Sequence, residues 1–171
     1  VKEAVADKPD IFDKAVRALN AERYDLAIKA FEKIVDDYSG LAWDVRAMPY
    51  LAKAYAGNED YLKAVRAFEK LYDRNPELEN DSDLSLAYCN VLLKANRISK
   101  LKEKLDQMIG AGGRDAAAKA QLMRGNLEME RENYKKAAKD YLRTVYFFKS
   151  QESVMPEATY KLAKALDKMR D

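Results

Sequence analysis

Apolar residues recur along the chain at three- and four-residue spacing, as in Val16, Leu19, Leu26, Ala27, Ala30, Phe31 and Ile34. That is the signature of helices that bury one face. The apolar stretches are separated by residues that stop helices or start them: Ser39-Gly40, Asn58-Glu59-Asp60, Asn75-Pro76, Asn80-Asp81-Ser82 and Gly110-Ala111-Gly112-Gly113. Gly and Asn close a helix and Asp or Ser opens the next. The pattern predicts nine helices, near 9–21, 24–38, 42–57, 60–74, 82–95, 98–109, 114–131, 133–149 and 156–169. Pro49 falls inside the third and predicts a kink there or a late helix start, because proline lacks the N–H that an interior position uses.

The pattern also repeats on a larger scale. Tyr24-Asp25-Leu26-Ala27 with Phe31 recurs as Tyr61-Leu62-Lys63-Ala64 with Phe68, and as Tyr134-Lys135-Lys136-Ala137 with Tyr141. A degenerate copy, Ile98-Ser99-Lys100-Leu101 with Leu105, keeps the register between them. A second series of small residues, Ala15, Ala52, Cys89, Gly125 and Ala163, advances by 37, 37, 36 and 38 residues. A small residue at a fixed point of each repeat lets two helices approach closely, and the aromatic of the following helix fills the space beside it. The reading is one packing unit used about four and a half times.

These motifs resemble the tetratricopeptide repeat. The likeness is clearest in Leu51-Ala52-Lys53-Ala54-Tyr55, Asn58-Glu59-Asp60-Tyr61-Leu62-Lys63-Ala64 and the closing Asn75-Pro76. Repeat one departs from it at Lys14, and repeat three at Ile98 and Leu101. The resemblance implies an all-α fold, an α-solenoid of antiparallel helix hairpins wound into a right-handed superhelix. It divides the chain into repeats near 9–40, 41–77, 78–113 and 114–151 and a capping helix over 154–171, all in one domain over 9–171. Residues 1–8 are then a leader or the end of an upstream repeat. In the capping helix, Ala158, Leu162, Ala165, Leu166 and Met169 are expected on one face and Lys161, Lys164 and Lys168 on another.

Composition narrows the chemistry. The 171 residues include 26 Ala against 6 Gly and 4 Pro, which favours helix. Lys and Arg total 31 and Asp and Glu 29, so the net charge of +2 supplies no general attraction to nucleic acid or anionic lipid. With no His and one Cys, there is no His-based triad, no His metal site and no intramolecular disulfide. Cys89 occupies the small position of its repeat, so packing explains it better than nucleophilic chemistry. The Gly110–Gly113 run follows a helix rather than a strand and lacks a Lys-Ser/Thr ending, which argues against a phosphate loop. Asp36, Asp37, Glu128, Glu130 and Glu132 have Lys and Arg for neighbours and read as solvated faces rather than a cation site. No cofactor, metal or catalytic constellation is expected. The opening Val1 and the lack of an apolar run of signal-peptide length leave the compartment, cytoplasm or bacterial periplasm, open.

The resemblance also implies where a partner binds. In that family the first helix of each repeat lines a concave groove, and the residue after the small one faces a bound peptide. Here that position reads Val16, Lys53, Asn90, Asn126 and Lys164, flanked by Arg46, Tyr50, Lys94, Lys119, Met123, Tyr160 and Lys161. Asn can both donate to and accept from a peptide amide, and Lys pairs with carboxylates, so an acidic protein or peptide partner is expected. A place in a larger bacterial assembly is implied by the same resemblance. Two alternatives stand beside it. Tyr88 to Met108 resembles one pentatricopeptide repeat, which implies single-stranded RNA. An enzyme upstream of Val1 would make this segment its recruitment arm.

Overall fold

The computed structural model describes residues 7–111 and 113–170. All regular structure among them is helical, with nine α-helices and one short 3-10 helix. The contacts group the chain into two compact units, one reaching Arg97 and the other starting at Ile98.

The first unit holds α1 (Asp10–Asn20), α2 (Tyr24–Asp37), α3 (Trp43–Gly57), α4 (Tyr61–Arg74), the 3-10 helix (Pro76–Asn80) and α5 (Ser82–Lys94). Each α-helix packs on the next, and α1 also touches α3. Between α1, α2 and α3 the rings of Phe12, Phe31 and Trp43 form an edge-on cluster, with centroids 5.9 Å (Phe12–Phe31) and 5.3 Å (Phe12–Trp43) apart. Phe68, Tyr72 and Tyr88 cluster between α4 and α5, with Tyr72 edge-on to Tyr88 and Phe68 tilted against both. The second unit holds α6 (Ile98–Ala111), α7 (Arg114–Glu130), α8 (Tyr134–Phe147) and α9 (Met155–Lys168), again each on the next. Its core gathers Ala118, Leu122, Ala137, Ala138, Tyr141, Val154, Ala158 and Ala165.

The helices fall within a few residues of their expected ends. Asp81 caps α5, its carboxylate accepting the N–H groups of Asp83 (2.9 Å) and Leu84 (3.0 Å). The 3-10 turn is an addition to the sequence reading, entered through Pro76. Pro49 does not delay α3, which starts six residues earlier at Trp43. The carbonyl that loses its partner is that of Val45, in the first turn of the helix. The Val1–Ala6 part of the expected leader, and Gly112 of the glycine run, lie outside the described residues.

The repeat appears in the backbone too. Glu22, Glu59, Asn96 and Glu132 all have positive φ, between 55° and 61°, and they stand 37, 37 and 36 residues apart. Each is followed by a residue whose N–H closes back five residues: Arg23 to the carbonyl of Ala18, Asp60 to Tyr55, Arg97 to Leu92 and Asn133 to Glu128, at 2.8–2.9 Å. The left-handed residue itself makes the inner bond, three residues back, as Glu22 to Leu19 and Glu59 to Ala56. These are four copies of one helix-ending motif, built here without glycine at its left-handed position.

The small-residue series is buried at Ala15, Ala52, Cys89 and Gly125 and exposed at Ala163. The last member therefore departs from its expected packing role: α8 covers one side of α9, and no described helix covers the other. For the same reason α9 does not hide its whole apolar set. Ala158 and Ala165 are buried and Leu162 half-buried, while Leu166 and Met169 are exposed.

Candidate functional site

The start of α3 is held by a buried acid. Asp44 is fully buried, accepts the N–H groups of Gly40 (2.9 Å) and Val45 (2.7 Å), and pairs with Arg74 at the end of α4. Arg74 also donates to the Ser39 hydroxyl at 3.1 Å. A buried carboxylate is tolerable only with such a set of donors, and here they join the α2–α3 loop to the last turn of α4.

From this anchored start α3 turns Arg46, Tyr50 and Lys53 outward at spacings of four and three residues, which puts them in one row. The Arg46 guanidinium lies 4.9 Å from the centre of the Trp43 ring. Tyr50 stacks on Phe31 at 5.6 Å and meets Phe12 edge-on at 5.5 Å, so its ring is fixed although 39% of the residue is exposed. The row presents a cation, a rigid ring and a second cation, which suits a carboxylate-bearing chain with apolar side groups. Asn90 and Lys94 are exposed on α5, and Val16 is half-buried on α1.

In the second unit the expected residues are less free. Lys119 pairs with Asp115 at 2.6 Å, and both it and Met123 are half-buried. Asn126 is half-buried, and its side-chain oxygen accepts two bonds of 2.9 Å, from the Tyr141 hydroxyl and from the Lys161 ammonium. Lys161 is also paired with Glu157 at 2.5 Å. Asn126 and Lys161, expected side by side toward a ligand, are thus bonded to each other. Asn126 keeps its amide N–H groups as its remaining offer, because both oxygen lone pairs are in use. Tyr160 and Lys164 are exposed on α9.

The sequence reading missed the buried polar contacts. Arg124 on α7 donates to both oxygens of the buried Asp140, at 2.9 and 3.3 Å, and also reaches Asp106 on α6. Gln121 donates to Asp140 at 2.9 Å. A signal was present: Asp140 lies three residues after Ala137 and four before Thr144, on the face that must be covered, and an acid there requires donors. Glu128 corrects the expectation of a solvated carboxylate. It is buried and accepts from Lys102 (2.6 Å) and Asn133 (2.9 Å). Burial opposes its ionisation, but these two hydrogen bonds outweigh it and hold the carboxyl below its ordinary value.

Cys89 is fully buried. Tyr88 is packed against Phe68 and Tyr72, so its ring is not open for a base to stack on. Among the described residues no group of three or more His, Cys, Asp or Glu side chains could hold a metal ion, and no helix is long and apolar enough to cross a membrane. No protein-family model and no curated protein matches the chain.

Proposed function

We propose that this chain is a non-catalytic, tetratricopeptide-like interaction module that binds an acidic peptide through the outward residues of the first helix of each pair. The observation that carries the reading is the anchored row of Arg46, Tyr50 and Lys53 on α3. The Tyr50 ring, pinned against Phe12 and Phe31 between the two cations, has little conformational freedom to lose on binding. The helix-ending motif repeated at one register supports a repeat module, since a stack of like units serves as an extended binding surface. Asn90 and Lys94, exposed on α5, add the same chemistry within the first unit, and the second unit by itself offers Lys164 and the Asn126 amide.

An array of synthetic peptides that vary in acidic and aromatic content tests this. Acidic peptides with an apolar residue beside the carboxylates should bind, and reversing Arg46 and Lys53 to Glu should weaken them by about tenfold or more per lost charge-assisted contact. Lys53 is exposed, so stability should change there by about 0.5 kcal/mol or less, while lifting Arg46 off the Trp43 ring should cost about 0.5–1 kcal/mol. Binding that survives the double reversal would place the peptide elsewhere.

A further inference from the structure

The net charge of +2 hides a segregation that appears when charges are assigned to helices. Among the second helices of the pairs, α2 carries Lys29 and Lys33 against Asp25, Glu32, Asp36 and Asp37. Helix α8 carries Lys135, Lys136, Lys139 and Arg143 against Asp140 alone, and Lys149 follows it. Asp140 is buried and bonded to Arg124, with Arg143 at 3.7 Å, so it gives the outer surface no negative charge. The nearest exposed carboxylates in sequence, Glu130 and Glu132, sit before the helix begins.

Opposite its buried face of Ala137, Tyr141 and Thr144, α8 presents Lys135, Lys139, Leu142 and Tyr146 as one row. Leu142 is 54% exposed, Tyr146 73% and Phe147 59%, and the last two rings meet edge-on at 5.4 Å. Arg114 donates to the Phe147 carbonyl at 3.1 Å and so ties down the end that carries them. A cationic helix face with apolar side chains exposed at one end matches the surface of an anionic bilayer, where phosphates meet the lysines and rings enter the headgroup boundary.

We infer that the outer face of α8 docks this protein peripherally on an anionic phospholipid membrane. Two features favour lipid over single-stranded nucleic acid. The perpendicular rings of Tyr146 and Phe147 make no parallel platform for bases, and Leu142 offers a base nothing to stack on. A partner helix would call for a groove, whereas this is the ridge of one helix.

The test is co-sedimentation of the full chain with vesicles of phosphatidylcholine alone and of phosphatidylcholine with one quarter phosphatidylglycerol. Affinity for the anionic vesicles should be about tenfold or more higher, and should fall as salt is raised from about 0.05 to about 0.5 M. Lys135→Glu with Lys139→Glu should remove most of it, and Leu142→Ser with Tyr146→Ser should also weaken it, both with unchanged circular dichroism. In Tyr146→Trp the added emission should shift to the blue on anionic vesicles, measured against the wild-type signal of Trp43. Lys53→Glu should leave vesicle binding intact, which separates this surface from the peptide row. Equal binding to neutral vesicles, no binding to either, or full binding by the charge-reversed variant would overturn the inference. So would capture by polyuridylate or polyglutamate without capture by vesicles, which would assign the face to nucleic acid or to an acidic polypeptide.

Discussion

Tyr141 lies so close over Gly125 that a Cβ at position 125 would stand 2.6 Å from the ring. The ring is fully buried, and its hydroxyl is committed to Asn126, so it has no room to swing aside. Gly125→Ala should therefore lose stability: the overpacking costs about 1–3 kcal/mol, and the better helix propensity of Ala returns up to about 1 kcal/mol. Gly57→Ala is the control. Its Cβ would meet the Tyr24 ring at 2.2 Å, but Tyr24 is half-buried at the first residue of α2 and can move toward solvent. Urea unfolding should show a clear loss for the first variant and a smaller one for the second.

The four left-handed turn residues lead to a prediction of opposite sign. Glu22, Glu59 and Glu132 carry a side chain where the backbone favours glycine. Replacing any of them with Gly should raise stability by up to about 1 kcal/mol, less the extra freedom Gly gains in the unfolded chain. Asn tolerates this conformation better, so Asn96→Gly should gain less. Thermal unfolding of the four single variants, with Ala at the same sites showing no gain, checks the motif.

Arg124 and Asp140 should be strongly coupled. Arg124→Met leaves Asp140 buried with Gln121 as its hydrogen-bond donor and only the more distant Arg143 as a cation, and should cost up to about 3 kcal/mol. Removing both charges, in Arg124→Met with Asp140→Leu, should recover much of that loss, because no uncompensated ion remains. A double-mutant cycle in urea measures the coupling; additive losses would show that the two groups do not stabilise each other.

Stability should fall at both ends of the pH scale, through different groups. Burial, reinforced by carboxylates including Glu157, raises the Tyr141 hydroxyl from 10.0 to about 12, and burial above all raises Tyr72 to about 12. Tyr55 and Tyr88 are raised further, by burial and by the carboxylates of Glu32 and Glu69. A group whose folded-state value is raised contributes stability in full below the unfolded value of 10.0 and loses it as pH climbs toward about 12. Glu128 has the opposite sign, contributing fully above its ordinary 4.5 and losing that contribution as pH falls through its lowered folded value. Of the 11 tyrosines, these four should ionise late and together with the loss of helical circular dichroism. A single titration of all phenols near 10, with the helices intact, would contradict the burial.

The helices and their register were legible in the sequence because helix formation is local. Bonds from each N–H to the carbonyl four residues back, and apolar residues on one side, leave a pattern that any short window contains. Arg46, Tyr50 and Lys53 were named through the resemblance to a repeat family, and their four- and three-residue steps put them on one side of α3 without help from another element. The turns were less legible: their left-handed positions hold Glu at three places and Asn at the fourth where a glycine would have announced them, and only the backbone reveals the common motif. What tertiary structure decided was every pairing between helices. Asn126 meets Lys161 across 35 residues, Asp44 meets Arg74 across 30, and Glu128 meets Lys102 across 26, and each changes what a polar side chain has left to offer. The charge of α8 belongs to the same class. Its basic outer face follows from Asp140 turning inward to Arg124, and a side chain's direction relative to its neighbours is fixed by packing, which a sum of charges along the chain cannot express.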